Sequence, residues 1–399
     1  MKVCMVTYSF YEGDTRVIQY ATALADRGDQ VDVLALRRVG DARFEVIRGV
    51  NVYRIQTRKV NEQSRLLYLF RILRFLFLSA IVLTKKHFSR RYDVIHVHSV
   101  PDFLVFAAIV PKLLGARVIL DIHDILPEFY ASKFGASPDS FLFKCLVWME
   151  TCSIAFSDHV IIANHLWHER LVSRSVSADK CTVVINYPDP QIFAPRAKRA
   201  ADGKFIILYP GSLNHHQGLD VAIRAFARVA GQMPGAEYRI YGEGPAKPAL
   251  IQLASELGLN ARVFFHEYLP TGKIAEIMAA SDLAVVPKRA SSGFGNEAAS
   301  TKIMEFMSLG IPLIVSKTKI DTFYHDPEQV RFFESENEAD LAEAILQLWG
   351  EPELRAQLVA GASRYIAQNT WTVRKQDYLD LVDRLHVPTR AAQRVPDRC

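Results

Sequence analysis

Apolar and polar positions along this chain switch repeatedly between a strand-like run and a helical spacing. Residues 2–7 form an apolar run. A loop containing Gly13 follows, then Val17, Ala21 and Leu24 recur at helical spacing, and Gly28 ends that stretch. Residues 31–36 read as the next strand, and similar runs lie at 93–98, 117–122, 159–163 and 181–185, with helical stretches between most of them. Strands that alternate with helices predict a parallel sheet covered on both faces.

The stretch 189–203, rich in Pro, Ala, Lys and Arg, breaks this pattern and reads as a linker. A second series then begins. It has strands at 205–211, 237–241, 263–265, 283–286 and 312–315, and helices at 218–231, 272–280, after Ser300 and at 338–349. The expected architecture is α/β with two Rossmann-like domains, 1–195 and 196–370. A helix over 371–386 completes the first domain, and 387–399 forms a flexible tail. In open α/β sheets ligands bind beyond the carboxyl ends of the strands, so two such sheets facing each other would enclose a cleft.

Composition adds limits. A length of 399 residues suits two domains, and half the residues are hydrophobic, enough for two cores. The net charge of +5 is too small to argue for nucleic acid, and no nucleic-acid-binding signature is present. The five cysteines (Cys4, Cys145, Cys152, Cys181 and Cys399) are scattered and form no C-x-x-C pair. Neither a structural metal site nor a disulfide framework is indicated, and a reducing cytoplasm fits best. The first residues read as a strand, not as a signal peptide.

The most informative segment runs from Glu297 to Pro312. Ser300 or Thr301 can cap a helix that Gly310 and Pro312 end. A helix N-terminus presents free N–H groups and partial positive charge, which suits a phosphate. Glu297 and Glu305 would accept hydrogen bonds from neutral hydroxyls on either side. A phosphate flanked by hydroxyls describes a nucleotide-sugar. By itself, the segment is equally an ordinary capped surface helix.

Glu297 and Glu305, with seven residues between them, meet an E-x7-E pattern. The surrounding Ser300-Thr-Lys-Ile-Met-Glu-Phe-Met-Ser-Leu-Gly-Ile-Pro312, and the opening Asp14-Thr-Arg-Val-Ile-Gln-Tyr-Ala-Thr-Ala-Leu-Ala-Asp-Arg-Gly28, resemble retaining glycosyltransferases of the GT4 type. The resemblance spans roughly residues 1–386 and implies the GT-B fold. It also implies roles. Glu305 would bind the ribose hydroxyls and Glu297 the donor sugar. Lys302 with the amides of Ser300 and Thr301 would contact the diphosphate. His123 would lie beside the sugar and leaving phosphate, and Gly13 and Arg16 near the phosphates from the first domain. A structural reading, as a strand-end histidine, stands beside the functional one for His123 and weighs more for His96 and His98.

One segment departs from the family. Relatives carry an Arg and a Lys in a G-x-L-x-x-x-K-G segment that binds the diphosphate. Here the segment is Gly211-Ser-Leu-Asn-His-His-Gln-Gly218, with Ser212 and Gln217 in place of the cations. Each charged hydrogen bond contributes roughly 1.5–3 kcal/mol, so losing both without substitutes costs about 10²–10⁴ in rate. Lys302, His215, His216 and Arg16 are the candidate substitutes, Lys302 foremost.

The implied reaction moves a sugar from a nucleotide-sugar, a UDP-sugar favoured and a GDP-sugar possible, to an acceptor hydroxyl. It would proceed with retention and without a cofactor. No D-x-D triplet occurs, and the GT-B resemblance likewise implies no metal. Two rivals stand beside this reading: a UDP-sugar epimerase of the same fold, and a silent subunit that binds a partner transferase.

Residues 66–83 are almost continuously apolar, but Arg71 and Arg74 interrupt them, which disfavours a spanning helix. With Arg65, Lys85, Lys86, Arg90 and Arg91 around it, the 66–91 region suits either an interfacial helix on anionic headgroups or a helix buried against the first sheet. The interfacial case fits a glycan or lipid-linked glycan acceptor at the inner face of the plasma membrane.

Overall fold

The computed structural model describes residues 1–58, 65–134, 137, 139–196 and 203–386. The chain divides into two compact units. The passage from the first to the second falls between Ile185 and Asn186, ahead of the expected boundary at 195, and the chain rejoins unit 1 at Lys375. The expected tail 387–399 lies outside the described residues.

Unit 1 holds an eight-stranded sheet in the order β3-β4-β2-β1-β5-β6-β7-β8. Its strands are β1 (Lys2–Thr7), β2 (Gln30–Arg37), β3 (Phe44–Ile47), β4 (Val50–Thr57), β5 (Val94–His98), β6 (Arg117–Ile122), β7 (His159–Ile162) and β8 (Cys181–Val183). All pair in parallel except the edge strand β3, which runs antiparallel to β4. Val3, Cys4, Met5 and Val6 are all fully buried, as a strand covered on both faces requires.

Helix α1 (Thr15–Asp26) starts where the Asp14 carboxylate accepts from the Val17 amide at 3.2 Å. The helix Trp371–His386 enters unit 1 at Lys375. There the Tyr378 ring stacks on Tyr20 of α1 at 4.1 Å, and its hydroxyl meets His96 Nδ1 at 3.0 Å.

Helix α2 (Arg65–Arg90) is long and apolar enough, by length and composition, to cross a bilayer, contrary to the expectation set by its arginines. Ile72, Phe75, Ser79, Leu83 and His87 are buried. Phe70, Phe77, Ile81 and Phe88, at helical spacing on the opposite side, are each more than half exposed. One face of α2 is thus buried and the opposite face exposed.

Unit 2 holds a six-stranded, wholly parallel sheet in the order β11-β10-β9-β12-β13-β14. Its strands are β9 (Phe205–Pro210), β10 (Ala236–Tyr241), β11 (Val263–His266), β12 (Leu283–Val286), β13 (Leu313–Ser316) and β14 (Arg331–Phe333). The helix Thr301–Leu309 buries Ile303, Met304, Phe306, Met307 and Leu309. That apolar face presents its N-terminus at the carboxyl side of the sheet, after β12.

Candidate functional site

In unit 2 the loop leaving β9 and the helix Thr301–Leu309 meet at Lys302. Gly211 has φ +138°, which L side chains rarely adopt, and a Cβ there would stand 3.0 Å from Lys302 Nζ and 3.3 Å from its Cε. The absence of a side chain at 211 is what lets the lysine lie along the backbone. Lys302 Nζ sits 5.3 Å from the centre of the Tyr209 ring. Among the described residues no carboxylate comes within ion-pair distance of this ammonium. Burial lowers the Lys302 pKa to about 8, with Lys288 adding to the effect and Glu305 and Asp321 opposing it. Burial raises the pKa of Glu305, against the pull of Lys302 and the Thr301 hydroxyl.

Ser300 occupies the position before the helix but makes no capping bond. Its hydroxyl is buried without a partner, and Thr301 is the first helical residue. The expected cap is therefore missing, because Ser300 Oγ does not reach the free amides. Among the described residues no side chain bonds those amides, which lie beside the Lys302 ammonium. Such an end can bind an anion.

Gln217 does not replace the missing cation; it fixes the ring beneath Lys302. Its Oε1 accepts from the Tyr209 hydroxyl at 3.0 Å, and the same hydroxyl lies 3.1 Å from the Ser212 carbonyl. The Ser212 side chain is exposed. Gly218 adopts φ +67°, and a Cβ there would come within 2.0 Å of the Pro287 carbonyl oxygen. His216 supplies no charge, since burial together with Lys302 and Lys288 lowers its pKa.

Sequence reasoning missed Lys288. It lies two residues past β12 and is 2 % exposed. Its ammonium donates to the Ala298 carbonyl at 2.8 Å and pairs with Asp321 at 2.9 Å. Asp321 in turn accepts from Thr318 Oγ1 at 2.6 Å. The Lys319 amide donates to Asn296 Oδ1 at 2.7 Å, and Lys319 Nζ lies 3.6 Å from Glu297. The segment carrying Glu297 is thus held from two sides. A lysine just past an apolar strand was visible in the sequence, but neither its burial nor its partner Asp321 was.

In unit 1, Arg16 is not a free cation near the Gly13 turn. It is 7 % exposed, donates from Nε and Nη2 to both oxygens of Asp121 at 2.8 Å, and reaches the Val184 carbonyl at 2.8 Å. A buried guanidinium needs such a carboxylate, so Asp121 engages the charge that was expected near the phosphates. Gly13 closes a short turn whose neighbour Glu12 pairs with Arg38 and Arg54.

Asp121 also organises His123, the first residue past β6. His123 Nε2 and His98 Nδ1 each lie 3.1 Å from Asp121 Oδ2, and 3.3 Å from each other. Burial opposes the charged form of His123, but Asp121 outweighs it and raises the pKa, whereas burial lowers those of His96 and His98. His96, His98 and Asp121 stand close enough to ligate a metal. The Arg16 guanidinium is already bonded to both oxygens of that carboxylate. His123, 22 % exposed at its side chain, is the member of the cluster that reaches solvent.

Two family descriptions match the chain: "Glycosyl transferase 4-like domain" over residues 13–186 and "Glycosyl transferases group 1" over residues 191–364. A D-inositol 3-phosphate glycosyltransferase of Stackebrandtia nassauensis is 28% identical over 218 residues, 50% of this chain and 48% of the relative. The match thus spans about half the length of that relative. Among solved structures, sucrose-phosphate synthase from Thermosynechococcus elongatus superposes with a TM-score of 0.77 at 18% identity, over 96% of this chain and 99% of the other. Anabaena HepE in complex with UDP-glucose gives 0.69 at 18% identity, over 96% and 100%. These likenesses establish the fold.

Proposed function

We propose that this chain, which belongs to the GT4-type glycosyltransferases of GT-B fold, transfers a glycosyl group from a nucleotide-sugar to an acceptor hydroxyl with retention of configuration. The observation that carries the reading is the Lys302 ammonium. It lies against the Gly211 backbone beside the open end of the Thr301–Leu309 helix, with no acid partner among the described residues. This is where negative charge would develop as the diphosphate leaves, and a preorganised cation with amide donors stabilises that charge directly.

In this reading Glu305 accepts from the ribose hydroxyls, and Glu297, held by Lys319 and the Lys288–Ala298 bond, from those of the donor sugar. A departing phosphate oxygen takes the acceptor proton, so no glycosidase-like carboxylate pair is needed. His123, kept oriented by Asp121, is the unit 1 side chain available to donate to a substrate hydroxyl. No metal is required in this scheme, because Lys302 and the helix end carry the charge. A UDP-sugar is the favoured donor, supported by the UDP-glucose complex of HepE. The glycan or lipid-linked glycan acceptor is met at the cytoplasmic membrane surface. The exposed stripe Phe70, Phe77, Ile81 and Phe88 on α2 supports that location.

Thermal-shift titration with UDP, GDP and their sugars tests the donor site. Stabilisation by UDP-sugars that disappears in Lys302→Ala is expected. No response to any nucleoside diphosphate overturns the reading. Conversion of the UDP-sugar without an acceptor would make the protein an epimerase instead.

A further inference from the structure

At the carboxyl ends of β2 and β4, against α2, unit 1 contains a pocket of about 470 Å³ that includes Arg37, Arg43, Arg54, Arg74, Leu78 and Val82 in its lining. The four arginines are not equivalent. Arg54 is 5 % exposed and already balanced by Glu12 and Glu45. Among the described residues Arg37 donates only to Thr57 Oγ1, at 2.9 and 2.7 Å from Nε and Nη2. Arg43 and Arg74 are exposed. Among the described residues none of Arg37, Arg43 and Arg74 has an ion-pair partner. Three uncompensated guanidiniums therefore converge on one concave site. Planar, multiply donating cations at that density match a phosphoryl group better than a carboxylate or a neutral sugar.

The location narrows the source of the phosphate. Arg74, Leu78 and Val82 succeed one another along one side of α2, and the exposed Phe70, Phe77, Ile81 and Phe88 run beside them. A surface that seats those rings among acyl chains brings the flanking pocket to the depth of the headgroups. We infer that this pocket receives the phosphoryl headgroup of an anionic membrane lipid. The inference rests on the membrane-facing reading of α2 given above. It adds a defined headgroup site, separate from the donor site of unit 2.

Flotation of the full chain with phosphatidylcholine vesicles, alone or mixed with phosphatidylglycerol, tests it. The wild type is expected to float with the mixed vesicles. At about 1 kcal/mol, or about fivefold, for each basic residue near the surface, Arg37→Gln/Arg43→Gln/Arg74→Gln should partition about 100-fold more weakly. Arg43→Gln/Arg74→Gln, which removes no intramolecular hydrogen bond recorded for the folded chain, should lose about 30-fold by the same measure. Arg48→Gln/Arg117→Gln, at the amino ends of β4 and β6 and off α2, removes the same charge away from the pocket and should change little. Equal losses in the two double variants, or equal binding of the wild type to both vesicles, overturn the proposal. So does a calorimetric affinity for inorganic phosphate that the triple variant abolishes while its vesicle binding stays intact, since the pocket would then serve a soluble anion. The UDP thermal shift is recorded in parallel: its absence refutes the donor reading and leaves the lipid measurement standing.

Discussion

Lys302 and Gly211 occupy space that a single methyl group would contest: a Cβ at 211 would stand 3.0 Å from the lysine nitrogen. Gly211→Ala therefore displaces the ammonium and places alanine at φ +138°. The backbone conflict alone should cost more than about 1 kcal/mol of stability. The larger effect is expected on donor affinity, approaching that of Lys302→Ala, which should lose about 10- to 150-fold, the equivalent of one charged hydrogen bond of 1.5–3 kcal/mol. Calorimetric titration with UDP measures both variants. Unaltered affinity in either would remove Lys302 from the phosphate site.

The same lysine predicts a pH profile. Its pKa in the folded, ligand-free protein is lowered from 10.5 to about 8. UDP affinity should be flat below that value and fall as pH rises through it, with proton uptake on binding in the alkaline range. Stability of the ligand-free protein moves the other way. Between about 8 and 10.5 the unfolded chain holds a proton that the folded one has released, so this group adds stability as pH rises. Lys302→Arg stays charged throughout and should flatten the binding profile.

Lys288 and Asp321 form a nearly fully buried pair, 3 % and 2 % exposed at their side chains. Lys288→Met leaves an uncompensated carboxylate and should destabilise by about 3–5 kcal/mol, whereas Lys288→Met/Asp321→Leu should recover most of it. Urea unfolding separates the two. The double variant also frees the Ala298 carbonyl. Weaker use of the donor sugar with unchanged UDP affinity is expected, because Glu297 and not the phosphate contacts loses its support.

Asp121 raises the His123 pKa while Arg16 and His123 hold its own well below the usual carboxylate range. The stabilising effect of the carboxylate is present above its unfolded pKa and lost in strong acid. That of His123 is present below its unfolded value near 6.5 and lost as pH rises through the raised folded value. Asp121→Asn should cost about 3–5 kcal/mol by stranding Arg16. It should also lower the His123 pKa, read from the ring-proton shifts by NMR. An unshifted His123 resonance in a folded variant would contradict the coupling.

Most of the strands were legible because parallel strands buried on both faces read as unbroken apolar runs. The edge of the first sheet was not. In β4 the buried positions are Val50, Val52, Arg54 and Gln56, so half of the inward face is polar and the alternation is masked. Arg54 is tolerated there by Glu12 and Glu45, and Gln56 by the Arg71 carbonyl at 3.0 Å. In the candidate site, Glu297, Lys302 and Glu305 could be read locally, since one short segment carries them. Arg16 and Lys288 could not. Each is defined by a carboxylate far along the chain, Asp121 and Asp321, and a charge count near a motif does not distinguish a free cation from a neutralised one.

Tyr378 completes the packing around Tyr20 and His96, and it lies on a helix translated after every strand of unit 2. On the ribosome, the first lobe to emerge therefore waits with that aromatic seat unfilled while nearly two hundred further residues are made. The second lobe, drawn almost wholly from Asn186 to Arg374, has no such delay. Nascent chains arrested before Trp371 should thus protect the later lobe from protease and leave the earlier one open to cleavage. This reverses the N-terminal-first order usual for multidomain chains.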